Sequence, residues 1–105
     1  MDEMAVLKEL LEGITYRCVK GNVDTGITEL VYDSRKIVKG CLFVCIKGAN
    51  FDGHEFIKEA VEKGAAALVV SDPVQADGEV TVIQTEDTRY ALAFLSAAFF
   101  GHPAK

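Results

Sequence analysis

The 105-residue chain has no tryptophan, two prolines, two histidines and three cysteines. None of the cysteines forms a Cys-x-x-Cys pair, and no group of histidines accompanies them, so a zinc site of ordinary spacing is excluded. An odd, sparse cysteine set does not make a disulfide framework. Cys18, Cys41 and Cys45 read instead as small buried hydrophobes in a reducing compartment. Basic charge is also scarce. Eleven Lys and Arg face sixteen Asp and Glu, for a net charge of -5, and the cations are scattered, which argues against a nucleic-acid partner. No apolar run approaches the ~20 residues of a membrane span. The start, Met-Asp-Glu, is acidic and unlike a signal peptide. The expected setting is the cytoplasm.

What is present is apolar content. Half the residues are hydrophobic, enough for a single domain over 1–105 with one core and no staples. Met4, Leu7, Leu10, Leu11 and Ile14 recur at helical spacing and predict a first helix over 3–12, with Asp2 as its cap and Gly13 as its end. Residues 16–25 are mixed, with Gly21-Asn22 as a turn. Residues 27–32 predict a strand. Cys41–Ile46 is continuously apolar, as in a strand covered on both faces. Asp52 is a good N-cap, with Glu55 three residues on as in a capping box. A helix over 54–63 follows, ended by Gly64. Strands are predicted over 65–70 and 80–83. A final helix carries Glu86 and Asp87 in its first turn, Leu92, Leu95 and Phe99 on one face, and Gly101 and Pro103 at its stop. The fold class is α/β: a small sheet of about four to five strands containing a βαβ unit, with helices packed on it.

Chemistry concentrates between Tyr32 and His54. Asp33-Ser34-Arg35 follows a strand and reads as a loop. Gly48-x-x-x-x-Gly53 lies between a buried strand and a helix start, the context of a phosphate-binding loop. The next two residues are His54 and Glu55 rather than Lys and Ser or Thr. There is then no cation for outer phosphates and no hydroxyl for magnesium, so this is not an ATPase loop. Two readings stay open: a tight turn that needs its glycines, with Gly53 at positive φ, or a loop whose amides face a ligand. Ser34 as a nucleophile needs a base. His54 and His102 are the only histidines, and neither is placed by spacing to form a triad. No catalytic residue and no metal ligand is assigned within the chain.

The combined motif Asp33-Ser34-Arg35, Gly40-x-Leu42-Phe43-Val44, Lys47-Gly48, Asp52-Gly53-His54-x-Phe56-Ile57, Ala60 and Gly64-Ala65 resembles the N-terminal domain of the Mur ligase family. The tail, Asp87-Thr88-Arg89-x-Ala91-Leu92 with Phe99-Phe100-Gly101-His102-Pro103, is similar to the MurE branch. The MurF branch shares the first half of the pattern. The resemblance spans roughly residues 27–105. It implies the substrate-anchoring domain of a three-domain peptidoglycan-precursor ligase. In such an enzyme this domain holds the UDP end of a UDP-MurNAc-dipeptide, a second domain binds ATP and Mg2+, and a third brings the amino acid, meso-diaminopimelate or L-lysine. By the same resemblance Tyr32 and Ser34 are uridine-nucleotide contacts, and Ala49, Asn50 and Phe51 are a second contact segment. Asp33, Arg35, Asp52, Gly53 and His54 are supporting motif residues. The missing central and C-terminal domains would be partners in the same chain, and the chain alone would not ligate. The competing readings are a free-standing nucleotide-binding module and a structural domain with no small ligand.

Overall fold

The computed structural model describes residues 5–48, 52–72, 74–76 and 78–100. In chain order the elements are β1 (Ala5–Val6), α1 (Leu7–Leu10), β2 (Arg17–Lys20), β3 (Gly26–Ile27), β4 (Glu29–Val31), β5 (Cys41–Val44), α2 (Ile57–Glu62), β6 (Ala67–Val70), β7 (Thr81–Gln84) and α3 (Thr88–Phe100). Short 3-10 turns cover Ser34–Lys36 and Gly53–Phe56. The main sheet has five strands in the order β2-β7-β6-β5-β4. The neighbouring pairs from β4 to β7 are parallel, and β2 closes the far edge antiparallel. A two-stranded ribbon, β1 against β3, lies apart from it.

The apolar runs explain the layering. All four residues of β5 and all four of β6 are buried, because a parallel sheet is covered on both faces. Side chains alternate between those faces. Leu42, Val44, Ala67, Val69 and Ile83 pack with Leu7, Leu10 and Leu11 and with Ala91 and Leu95 of α3. Cys41, Phe43, Cys45, Leu68, Val70 and Val82 pack on the other face with Ile57 and Ala60 of α2. The β5-α2-β6 segment is the expected βαβ unit, and the α/β class with a five-stranded sheet holds.

Four local expectations change. The first helix is shorter than 3–12. Ala5 and Val6 pair with Ile27 and Gly26, and the first helical N–H groups donate to the carbonyls of Thr25 (Leu7 N, 2.9 Å) and Val23 (Lys8 N, 2.8 Å). Backbone pairing overrides the helical period there, Val6 takes the N-cap position, and Asp2 lies outside the described residues. Second, the strand expected over 27–32 divides between β3 and β4, which join different sheets. Third, β2 was not expected. It is an edge strand whose residues are mostly exposed, so it carries no apolar alternation. Cys18, on this strand, is exposed, unlike the buried thiol expected of it. Fourth, Asp87 sits just before α3 and caps it, accepting from Arg89 N at 2.9 Å and Tyr90 N at 3.2 Å. Gly101, His102 and Pro103 lie outside the described residues. Among the described residues no helix is long and apolar enough to cross a membrane.

Candidate functional site

Open parallel sheets bind ligands beyond the carboxyl ends of their strands. Here that edge carries residues 32–35 after β4, 45–48 after β5, 71–72 after β6 and 85–89 after β7. A cleft of 510 Å³ opens between the first two and the start of α3, lined by Tyr32, Asp33, Ser34, Arg35, Ile46, Gly48 and Arg89. Its size falls within the range of small-molecule sites.

The Asp33 side chain fixes the turn after β4. Its Oδ1 accepts from Arg35 N at 2.9 Å and Arg35 Nε at 3.2 Å, and its Oδ2 from Arg35 Nη2 at 3.0 Å. The Arg35 hydrogen bonds hold the Asp33 carboxyl down to about 2. The guanidinium is raised in turn by its bond to Asp33. Within this turn Ser34 is 8 % exposed and Tyr32 is 57 % exposed. Among the described residues the Ser34 hydroxyl has no hydrogen-bond partner, so a group that can donate and accept lines the cleft with its bonding capacity open to solvent. The Tyr32 ring presents an apolar face to the same space.

On its far side the cleft is lined by Ile46 and Gly48, where the segment between Lys47 and Asp52 begins. Its two ends are joined by an antiparallel bridge between Lys47 and Asp52 and by Gly53 N donating to Ile46 O at 2.8 Å. Ala49, Asn50 and Phe51, the expected second contact segment, lie outside the described residues. Gly53 does not adopt positive φ. Its necessity is contact instead: a Cβ there would stand 2.8 Å from Ile46 N and 2.9 Å from Cys45 Cα, backbone atoms that have little room to yield.

Asp52 and His54 do not line the cleft; they hold the loop's closing end. Asp52 caps the 3-10 turn by accepting from His54 N at 2.9 Å, and this bond, with the His54 ring, lowers its carboxyl from the ordinary value. The expected capping-box partner differs: Glu55 donates its backbone N–H to Asp52 O at 3.0 Å. The His54 ring is 8 % exposed. Its Nδ1 lies 2.7 Å from Asp52 Oδ1, and its Nε2 accepts from Ser71 N at 3.1 Å and Asp72 N at 3.4 Å. Two N–H donors at Nε2 and a carboxylate at Nδ1 assign the proton to Nδ1. His54 is therefore a buried clip between the loop and the end of β6, neither an exposed histidine nor a base for Ser34.

Asp52, His54 and Asp72 bring three ligand-type atoms within 4.8 Å. A divalent ion does not fit them as they stand, because both His54 nitrogens are committed and Asp72 is paired with Lys47 Nζ. That pairing raises the lysine from its ordinary value. Nor does the loop fit an ATP phosphate–magnesium group, since His54 and Glu55 occupy the positions of the lysine and hydroxyl.

Sequence reasoning did not place Arg89 in the site. It lies in the first turn of α3, where its Nη2 donates to Lys47 O at 2.9 Å. It was visible only as part of the Asp87-Thr88-Arg89 motif, and no spacing rule joins that motif to a loop 42 residues earlier.

Comparison with known proteins agrees with this architecture. The chain is 45% identical over 98 residues to a protein named UDP-N-acetylmuramoyl-L-alanyl-D-glutamate--2,6-diaminopimelate ligase from Clostridium perfringens, a match covering 93% of this chain and 20% of that relative. It superposes on MurF from Acinetobacter baumannii with a TM-score of 0.77 at 29% identity, covering 90% of this chain and 20% of that one. It superposes on MurF ligase from Thermotoga maritima, solved in complex with ADP, with a TM-score of 0.59 at 32% identity, covering 70% and 17%. The chain thus spans about a fifth of the relatives it matches. Residues 26–100 match the family described as "Mur ligase family, catalytic domain", a span that includes strands β3 to β7 and every described wall of the cleft, and the chain belongs to the Mur ligase family.

Proposed function

We propose that the cleft holds the uridine diphosphate end of a UDP-MurNAc-dipeptide, as the anchoring domain of a cytoplasmic ATP-dependent ligase that adds the third residue to that substrate. The observation that carries this reading is the Ser34 hydroxyl, on a residue only 8 % exposed and without a hydrogen-bond partner among the described residues, beside the exposed Tyr32 ring in the cleft at the carboxyl ends of β4 and β5. A nucleotide used as a handle needs a stacking surface, a few fixed donors and no catalytic cation, because no bond to it is broken. Gripping this remote group positions the distant carboxylate for attack, a proximity effect. Ala49, Asn50 and Phe51, outside the described residues, remain the second contact segment in this reading.

The name of the Clostridium perfringens relative, with its 45% identity, supports the MurE type and diaminopimelate as the added residue. The superposition on MurF structures keeps the MurF type as the second reading. ATP and Mg2+ belong to other parts of the protein, since the residues here fit neither. The reading is tested by an NMR titration with UDP-MurNAc-L-Ala-D-Glu, with ATP as the control. Shifts confined to residues 32–35 and 48–54, produced only by the UDP compound, are expected. Equal shifts with ATP, or shifts elsewhere, contradict it.

A further inference from the structure

The cleft has two arginines, and their charges are not equivalent. Arg35 is engaged by both oxygens of Asp33 and is 87 % exposed at its side chain, so its charge is neutralised within its own turn. Lys47 is likewise paired, with Asp72. Arg89 differs. Among the described residues it makes no ion pair. The nearby Asp87 Oδ1 is taken by the backbone N–H groups of Arg89 and Tyr90. Its single side-chain hydrogen bond is to a neutral carbonyl, that of Lys47. A guanidinium carries five N–H donors, so this bond orients the group and leaves most donors open on the cleft wall. In a chain of net charge -5, Arg89 is, among the described residues, the one cation lining the cleft that makes no ion pair, and it is fixed beside Gly48.

We infer that Arg89 is the anion-recognising residue of the cleft, binding the diphosphate of a nucleoside diphosphate while its Nη2 contact with Lys47 O holds the loop in register. The inference rests on the anchoring reading above and adds to it which side chain meets the phosphates. It separates the roles of the cleft: Tyr32 and Ser34 face the nucleoside, and Arg89 faces the charge.

The test compares UDP with uridine, by calorimetry at two salt concentrations, on the 105-residue chain and its Arg89→Gln and Arg89→Lys variants. The unaltered chain is expected to bind UDP more tightly than uridine, with salt weakening only UDP. Arg89→Gln is expected to weaken UDP roughly tenfold to a hundredfold, the loss of a charge-assisted hydrogen bond, while uridine changes by less than about twofold. Arg89→Lys, a cation without the fork, is expected to fall between. Equal losses for UDP and uridine in Arg89→Gln would reduce Arg89 to a loop brace and overturn the inference while leaving the anchoring reading intact. A chain that binds UDP no better than uridine overturns it as well. Binding of neither ligand overturns the anchoring reading itself.

Discussion

Replacing His54 with alanine should destabilise the domain more than any other single change at the loop. The imidazole is 8 % exposed and joins its own turn to the end of β6. Its Nε2 satisfies Ser71 N at 3.1 Å and shares Asp72 N at 3.4 Å. Its Nδ1–H meets Asp52, whose side chain is 34 % exposed. The longer bond to Asp72 contributes little. Stranding the Ser71 amide, a part-buried donor, costs ~1–3 kcal/mol. Asp52 recovers solvent, so its lost bond adds only about 0.5–1 kcal/mol. With the void left by the ring, the total is about 2–4 kcal/mol. For a domain of this size that corresponds to a fall in Tm of roughly 10–20 °C. The assay is thermal unfolding followed by circular dichroism. A fall of less than about 4 °C would mean that the His54 clip bears no load, and the account of loop closure would be wrong.

The other predictions concern the cleft and the core. Ser34→Ala should weaken UDP-sugar binding by ~0.5–1.5 kcal/mol with little change in Tm; unchanged affinity in a titration removes Ser34 from the site. Gly53→Val should lower Tm by an overpacking cost of about 1–3 kcal/mol, because its Cβ meets the backbone of Cys45 and Ile46; a variant as stable as the parent refutes that close approach. The Asp33 carboxyl, held at about 2 by Arg35 against an ordinary 3.8, contributes stability that is complete above the unfolded value and lost as pH falls through about 2. A carboxyl 13C titration with its midpoint near 3.8 contradicts the Asp33–Arg35 pairing. In the native chain, iodoacetamide should label Cys18 alone. Cys18 is exposed, whereas Cys45 is buried with its thiol pushed up to about 12 and Cys41 is buried and raised by the same cause. Labelling of all three at equal rates refutes the two-faced core.

The parts legible in the sequence were those where local chemistry and burial agree. Cys41–Val44 and Ala67–Val70 are apolar without alternation because both faces are covered, and the helical stretch between them opens with a 3-10 turn capped by Asp52 and stops at Gly64, whose φ is +91°. What escaped was tertiary. β2 shows no apolar pattern because it lies on an exposed edge, and β1 is two residues long, created by pairing with β3 rather than by propensity. The site was legible unevenly. Asp33-Ser34-Arg35 could be found as a polar break after a strand. The burial of Ser34, the choice of Asp33 as partner for Arg35, and the arrival of Arg89 from α3 depend on which strand ends meet. Gly53 was singled out for the wrong physical reason: the backbone needs room there, not a left-handed turn. The clip formed by His54 was not legible, because one histidine beside a capping aspartate gives no hint of the amides at the end of β6.

The most direct test of the anchoring claim is a crystal structure of the chain with UDP. The account predicts uracil against Tyr32, a hydrogen bond to the Ser34 hydroxyl, and the diphosphate on the Arg89 guanidinium beside the loop that begins at Gly48. UDP seated elsewhere on the molecule, with the cleft between β4, β5 and α3 left empty at saturating ligand, would contradict it.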